Sequence, residues 1–336
     1  NIMIKNIIFA IVAIVAISCN NSKPVAYNNP KPVNYTLFSG TIKNANSKSL
    51  TILNSLKNVV RKIKVSDTGM FSDTIFNTNG YYKFKDGKES SALYLKEGYN
   101  IQLNMDAKEF DETIIYSGNG SDINNYLAQK LLIKEKSGTR QEIYSLDEVA
   151  FLSKMKAQKE VLEKTLEGLN SDFVKQEKLA IKYDYISLMS RYQLMHIVFT
   201  KNKNFKVSES FPDVLKGLEY NNEEHFKAHV SYQNLVINNF SKRAREKAKK
   251  EKTSFESALI KMIKESKSEI LRQAFLVQLS SRVSARTPNV EELYNSIMEL
   301  STNERLKKQM TKQFNQIKKL AKGENILLMV MTLVLK

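Results

Sequence analysis

The sequence predicts an α+β protein, with an N-terminal antiparallel β sandwich or barrel-like module followed by a helical bundle. Three observations carry this. From Tyr35 to about Ser117, β-branched and aromatic residues recur with period two and glycine punctuates them. After Gly120 the period becomes that of a helix and holds to about residue 323. The apolar run ahead of the module, residues 7–17, is shorter than the roughly 20 residues a membrane-spanning helix needs.

The strands are read from short runs. These are YTLFSGTI (35–42), SLTILNSL (49–56), VVRKIKV (59–65), YYKFKDG (81–87), SALYLKEG (91–98), YNIQLNMD (99–106) and ETIIYSG (112–118). Turn signals separate them at Asp67-Thr68-Gly69, Asn79-Gly80, Asp86-Gly87 and Glu97-Gly98, where glycine supplies positive φ. Alternation then places Leu93, Leu95, Ile101, Leu103 and Met105 on one core face.

Helices come next. SDINNYLAQKLLIKEK, from residue 121, offers Ser121 or Asp122 as a cap. SLDEVAFLSKMKAQKEVLEKTLEGL, from residue 145, opens with the capping box Ser145 and Glu148 and puts Val149, Leu152 and Met155 on one face. Further helices are expected over 171–200, 222–250, 254–283, 289–300 and 302–322, with Asn289 and Glu292 opening the one after Pro288. In the segment 254–283, Phe255, Leu259, Met262 and Ile263 stand at i, i+4, i+7 and i+8, a core stripe.

At 336 residues, with 42% hydrophobic and 26% charged, the chain is globular in composition, which excludes disordered, collagenous and polytopic membrane classes. Its 52 Lys plus Arg against 35 Asp plus Glu give a net charge of +17, attractive to anionic partners. The run IIFAIVAIVAI, preceded by Lys5 and followed by Ser18, reads as a secretory signal peptide over 1–18. Ala16-Ile17-Ser18-Cys19 resembles a bacterial lipobox, with Ala16 where leucine is usual. We therefore expect Cys19 to be lipidated and to anchor the protein to a membrane, because acyl chains in the plural hold where one does not. Residues 19–34, with Pro24, Pro30 and Pro32, read as an extended tether. No acidic cluster follows Cys19, which favours a periplasm-facing anchor in the cell envelope. The chain's one cysteine is then consumed, so no disulfide, redox pair or thiolate metal site is expected.

The stretch YYKFKDGKESSALYLKEGYNIQLNMDAKEFDETIIYSGNGSDINNYLAQK, residues 81–130, resembles the N-terminal region of thioredoxin-like (TlpA-type) disulfide reductase lipoproteins of Bacteroidetes. SYQNLVINNF and STNERLKKQMTKQFNQIKKLAKG are similar to the helical region before their thioredoxin domain. The resemblance covers about 27–323 and implies a β module (35–118), a helical domain (119–323) and then a redox domain with Trp-Cys-x-x-Cys. Here the thirteen residues ENILLMVMTLVLK, 324–336, stand in that place, and the chain has no tryptophan and no second cysteine. Thiol–disulfide exchange needs a thiolate attacking a disulfide, so the sequence as written is expected to be non-catalytic. The tail is read as a frameshift product, with a buried terminal strand as the alternative.

Other constellations point to structure. His225 and His229 with Glu224 stand one helical turn apart, but two imidazoles without a third ligand make no metal site. His196 is expected to be a satisfied packing histidine. No phosphate loop, His-Glu-x-x-His or nucleophile elbow is present. SKRAREKAKKEK, residues 241–252, is read as a solvated helix end, and a signal peptide argues against nucleic acid; an anionic membrane is the better use of the charge. No cofactor is expected. The function expected is an envelope lipoprotein, the non-catalytic portion of a thioredoxin-like oxidoreductase with an envelope-protein client. The alternative is a stand-alone lipid-anchored binding module for a glycan, peptide or envelope protein.

Overall fold

The computed structural model describes residues 33–321. The signal run, Cys19, the tether to residue 32 and the tail 324–336 lie outside the described residues. The fold is α+β, as the periodicities indicate. Strands Tyr35–Lys43 (β1), Ser49–Asn54 (β2), Val59–Lys64 (β3), Met70–Phe76 (β4), Asn79–Asp86 (β5), Glu89–Lys96 (β6), Asn100–Asp106 (β7) and Ile115–Asn119 (β8) build two four-stranded sheets. Their orders are β4-β1-β7-β8 and β3-β2-β5-β6, an open sandwich with no closed barrel.

Alternation decides which side chains enter the space between the sheets. Phe38 and Ile42 of β1, Leu50 and Ile52 of β2, Phe84 of β5, Leu93 and Leu95 of β6, and Ile101 and Leu103 of β7 are all 0% exposed. Each contributes roughly 1.5–3 kcal/mol by leaving water. Two features depart from expectation. β1 and β7 pair in parallel, because the chain crosses to the second sheet for β2 and β3 and again for β5 and β6, and β7 re-enters beside β1 in the same direction. β4 is an additional strand. Its alternation is interrupted by Asp73, which an edge strand tolerates because Arg61 of β3 grips it with two hydrogen bonds of 2.7 and 2.8 Å.

Gly120 turns the chain out of β8 with φ of 94°, where a Cβ would meet the Tyr99 ring at 2.3 Å. Helix Ser121–Lys136 (α2), preceded by the single turn Phe110–Thr113 (α1), starts there, and neither Ser121 nor Asp122 caps it. Its first turn carries two asparagines that complete the sheets. Asn124 accepts from the Tyr94 N–H at 2.7 Å and donates to the Tyr94 carbonyl at 3.0 Å, extending β6. Asn125 does the same for Tyr116 of β8, at 2.8 and 2.9 Å. Two strand edges are thereby closed by one helix, which satisfies backbone groups that burial would otherwise leave unpaired.

Arg140–Ser145 (α3), Glu148–Lys164 (α4), Ser171–Met189 (α5) and Tyr192–Thr200 (α6) come next. The expected capping box is absent. Ser145 ends α3, Asp147 caps α4 by accepting from the Ala150 N–H at 2.9 Å, and Glu148 instead accepts from the Ser208 N–H. The buried face of α4 is Phe151, Met155 and Leu162; of the expected stripe Met155 is buried and Leu152 half-buried, while Val149 is 78% exposed, so the stripe is rotated by about a quarter of a turn.

The segments expected as single helices 171–200, 222–250 and 254–283 are each broken. The first divides at Ser190–Arg191, and Tyr192 beyond the break packs on Phe151 with ring centroids 4.0 Å apart. The second gives Glu223–Ala228 (α7) and Val230–Glu251 (α8), with His229 in extended conformation between them. The carbonyls this break frees find side-chain donors: Gln233 Nε2 at 2.7 Å for Phe226, and the Ser55 hydroxyl for Lys227. The third gives Phe255–Glu265 (α9) and Glu269–Ser280 (α10), capped by Ser254 and Ser268. Val290–Leu300 (α11) and Glu304–Ala321 (α12) complete the bundle. Asn289 precedes α11 in left-handed conformation and forms no side-chain cap, contrary to expectation. Phe226, Leu259, Ile263, Phe275, Leu276, Leu279, Leu293 and Ile297 form the helical core. No helix among the described residues is long and apolar enough to cross a membrane.

Candidate functional site

The outer face of the β3-β2-β5-β6 sheet meets helices, and there a cleft of about 370 Å³ opens. Its floor is Tyr81, Lys83, Ser90 and Ala92. One wall is α2, through Leu127, Lys130, Leu131 and Lys134, at i, i+3, i+4 and i+7. A second is α5, through Glu177, Ala180 and Asp184 on one face. The α7–α8 joint supplies Ala228, His229, Val230 and Ser231, and the β2–β3 turn supplies Ser55 and Lys57.

The charged groups in the walls form one network. Glu177 is 0% exposed; its Oε1 accepts from Lys130 Nζ at 2.5 Å and Tyr126 Oη at 3.0 Å, and its Oε2 from Tyr81 Oη at 2.6 Å. Asp184 accepts from Lys134 Nζ at 2.5 Å and from the Ser231 hydroxyl, with Lys130 3.7 Å away. Burial pushes the Lys130 ammonium toward its neutral form, but Glu177 and Asp184 more than offset this and hold its pKa above the ordinary lysine value. Burial likewise raises Asp184, and Lys134, Lys130 and Ser231 outweigh it, so its carboxyl sits below the usual range. Tyr81 and Tyr126 are pushed well above the usual phenol range by burial and by the charge of Glu177, so both remain donors.

His229 differs from these. It is 3% exposed, and burial, with His225 and Lys130 nearby, pushes its pKa down to about 4, so the imidazole is neutral. Its Nε2 has no hydrogen-bond partner among the described residues. A buried polar atom left unpaired costs about 1–3 kcal/mol, which a bound water or a ligand atom reaching Nε2 would relieve. At the rim, Lys57 and Lys83 are exposed and make no ion pair among the described residues. Four lysines against two carboxylates leave the cleft with two uncompensated positive charges.

The residues singled out from sequence fall elsewhere or apart. Cys19 lies outside the described residues. His225 and His229 are not on one helical face, because the helix breaks at His229; their ring centroids are 6.1 Å apart, and His225 Nδ1 shares a 2.6 Å hydrogen bond with Tyr183 Oη, lining a different pocket. No group of three metal-ligating side chains exists among the described residues. His196 is 8% exposed, shares a 2.9 Å hydrogen bond with the Tyr144 carbonyl and packs on Phe205. The basic run projects from α8, whose buried positions there are Ser241, Ala244 and Ala248. Sequence reasoning passed over Lys130, Lys134, Glu177 and Asp184. The one faint signal was position, lysines on the apolar stripe of α2 and carboxylates on that of α5; their pairing is made only by the fold.

Compared with protein-family models, curated proteins and solved structures, the chain matches none.

Proposed function

We propose that the chain is a non-catalytic ligand-binding module of a lipid-anchored envelope protein, of the kind that precedes the redox domain in thioredoxin-like disulfide reductase lipoproteins. Lipidated Cys19 holds it to the membrane on the periplasmic side, and the Pro-containing tether sets its reach. The observation that carries the reading is the cleft, with a neutral, unpartnered His229 in its lining and an excess of two positive charges. The two wall carboxylates and the lysines of α2 are committed to one another, which suits a rigid recognition surface. The ligand this fits is small and anionic, a carboxylate-bearing peptide or sugar acid, with its charge toward Lys57 and Lys83 and a polar atom toward His229 Nε2. All of this lining comes from residues 53–231.

The test is a thermal-shift screen of short acidic peptides and hexuronates, followed by calorimetry on the hits. The reading expects a hit whose affinity falls about tenfold or more in Lys57→Glu/Lys83→Glu, since each lost charge-assisted contact is worth about 1.5–3 kcal/mol. Absence of any anionic hit, or a hit indifferent to that double substitution, contradicts it. Fatty-acid probe labelling that is lost in Cys19→Ser tests the anchor.

A further inference from the structure

A second face of the molecule is distinguished by what it lacks. Among the described residues nothing covers the outer surface of the β4-β1-β7-β8 sheet, and its register can be read row by row. Ser39 of β1 lies between Ser72 of β4 and Gln102 of β7, and Ser117 of β8 completes the row. The next row toward the start of β1 is Thr74, Leu37, Asn100 and Asn119. On the other side it is Met70, Thr41, Asn104 and Ile115.

None of these positions carries a charge, in a chain with 52 cationic and 35 anionic side chains. Ordinary surfaces devote about a quarter to a third of their positions to charged residues, so a charge-free face of this size is a departure. The nearest charges lie at the margins. Lys43 and Asp106 neutralise each other at 3.3 Å across one end, and Lys64 stands on the edge. Among the described residues, the hydroxyl and amide side chains of these rows are free for a ligand, except that Asn119 Nδ2 donates to the Gly98 carbonyl at 3.1 Å. A shallow trough of about 670 Å³ runs along Ser39, Thr41, Gln102 and Asn104. At the opposite end from the Lys43–Asp106 pair, Phe76 is 56% exposed and stands edge to face with Tyr35, ring centroids 6.0 Å apart.

From this arrangement we infer that the outer face of this sheet binds a neutral polysaccharide. Rows of uncharged donors and acceptors match hydroxyl groups without a desolvated charge. The exposed ring of Phe76, with half-buried Tyr35 at its edge, offers an apolar surface to the C–H face of a sugar ring. Side chains repeat across the strands at roughly 4.8 Å, a spacing comparable to that of successive sugar units in an extended chain. A nucleic acid or an anionic lipid surface would find one unpaired cation here, Lys64 on the edge, while the rest of this +17 protein offers many. The site is on the opposite sheet from the cleft and stands independently of it.

The experiment is affinity electrophoresis of the mature chain through gels containing a β-glucan, an α-glucan, a mannan, a galactan or, as the charged control, alginate. Retardation is expected in at least one neutral polymer and equally at low and high salt. Phe76→Ala/Gln102→Ala should weaken it about tenfold or more, with the melting temperature of the exposed-site variant unchanged, while Lys83→Glu in the cleft leaves it intact. No retardation by any neutral polymer overturns the inference. So does retardation confined to alginate and abolished by salt, or neutral-polymer binding that survives Phe76→Ala/Gln102→Ala.

Discussion

Replacing Glu177 by Leu tests whether the sandwich and the helices are joined through the network beneath the cleft. In the folded protein that side chain accepts three hydrogen bonds, from Tyr81 on β5 and from Tyr126 and Lys130 on α2. Leucine fits the apolar surroundings of Phe173 and Ile181 but strands the Lys130 ammonium, whose side chain is 11% exposed, and leaves two phenols without their acceptor. Breaking a buried pair from one side costs about 3–5 kcal/mol. Asp184, 3.7 Å from Lys130, takes up part of the orphaned charge, which places the expectation near the lower end, about 3 kcal/mol. Urea unfolding followed by far-ultraviolet circular dichroism reads this directly. The double variant Glu177→Leu/Lys130→Met should recover most of the loss, because no buried charge is then left without a partner, Asp184 keeping Lys134. A single-variant loss below about 1 kcal/mol, or a double variant no better than the single, would refute the reasoning.

Three further outcomes are expected. Asn124→Ala removes the acceptor and donor that complete the Tyr94 edge and should cost about 2–4 kcal/mol, measured by the same unfolding midpoint; Asn125→Ala, at the half-exposed β8 edge, should cost less. His229 makes stability depend on pH. Its folded-state pKa is about 4 against 6.5 unfolded, so the unfolded chain takes up a proton first as pH falls. The contribution is fully present above pH 6.5 and is lost by pH 4, about 3 kcal/mol in all; His229→Phe should flatten that part of the curve. Gly120→Ala, at φ of 94° with a Cβ directed at the Tyr99 ring, should lower the melting temperature measurably, and Tyr99→Ala in the same chain should relieve only the steric part.

Much of the fold was legible because it rests on periodicity. Leu93, Leu95, Ile101, Leu103 and Met105 alternate in the chain and are buried in the structure. β4 was not legible, since Asp73 in its middle reads as a break until Arg61 from the neighbouring strand is placed beside it. Helix breaks at His229 and Ser266–Ser268 were not legible either, because amphipathic period carries across a kink. What ends α7 is a pair of side-chain donors, Gln233 and Ser55, and the second comes from the β2–β3 turn, far away in the chain. Consecutive Asn124 and Asn125 look like turn residues, and only the tertiary fold turns them into strand partners. The candidate site was hidden for the same reason: Glu177 and Lys130 are ordinary charged helix residues until 47 positions of chain fold to bring them to 2.5 Å.

The most direct test of the proposed role is the imidazole of His229 observed by NMR, with a carboxylate-bearing hit from the screen added at neutral pH. The account predicts that its ring signals do not titrate between pH 5.5 and 7.5 and shift on ligand addition, as Nε2 gains the partner it lacks. A ring that titrates near 6.5, or one that stays unmoved while the ligand binds elsewhere, would contradict it.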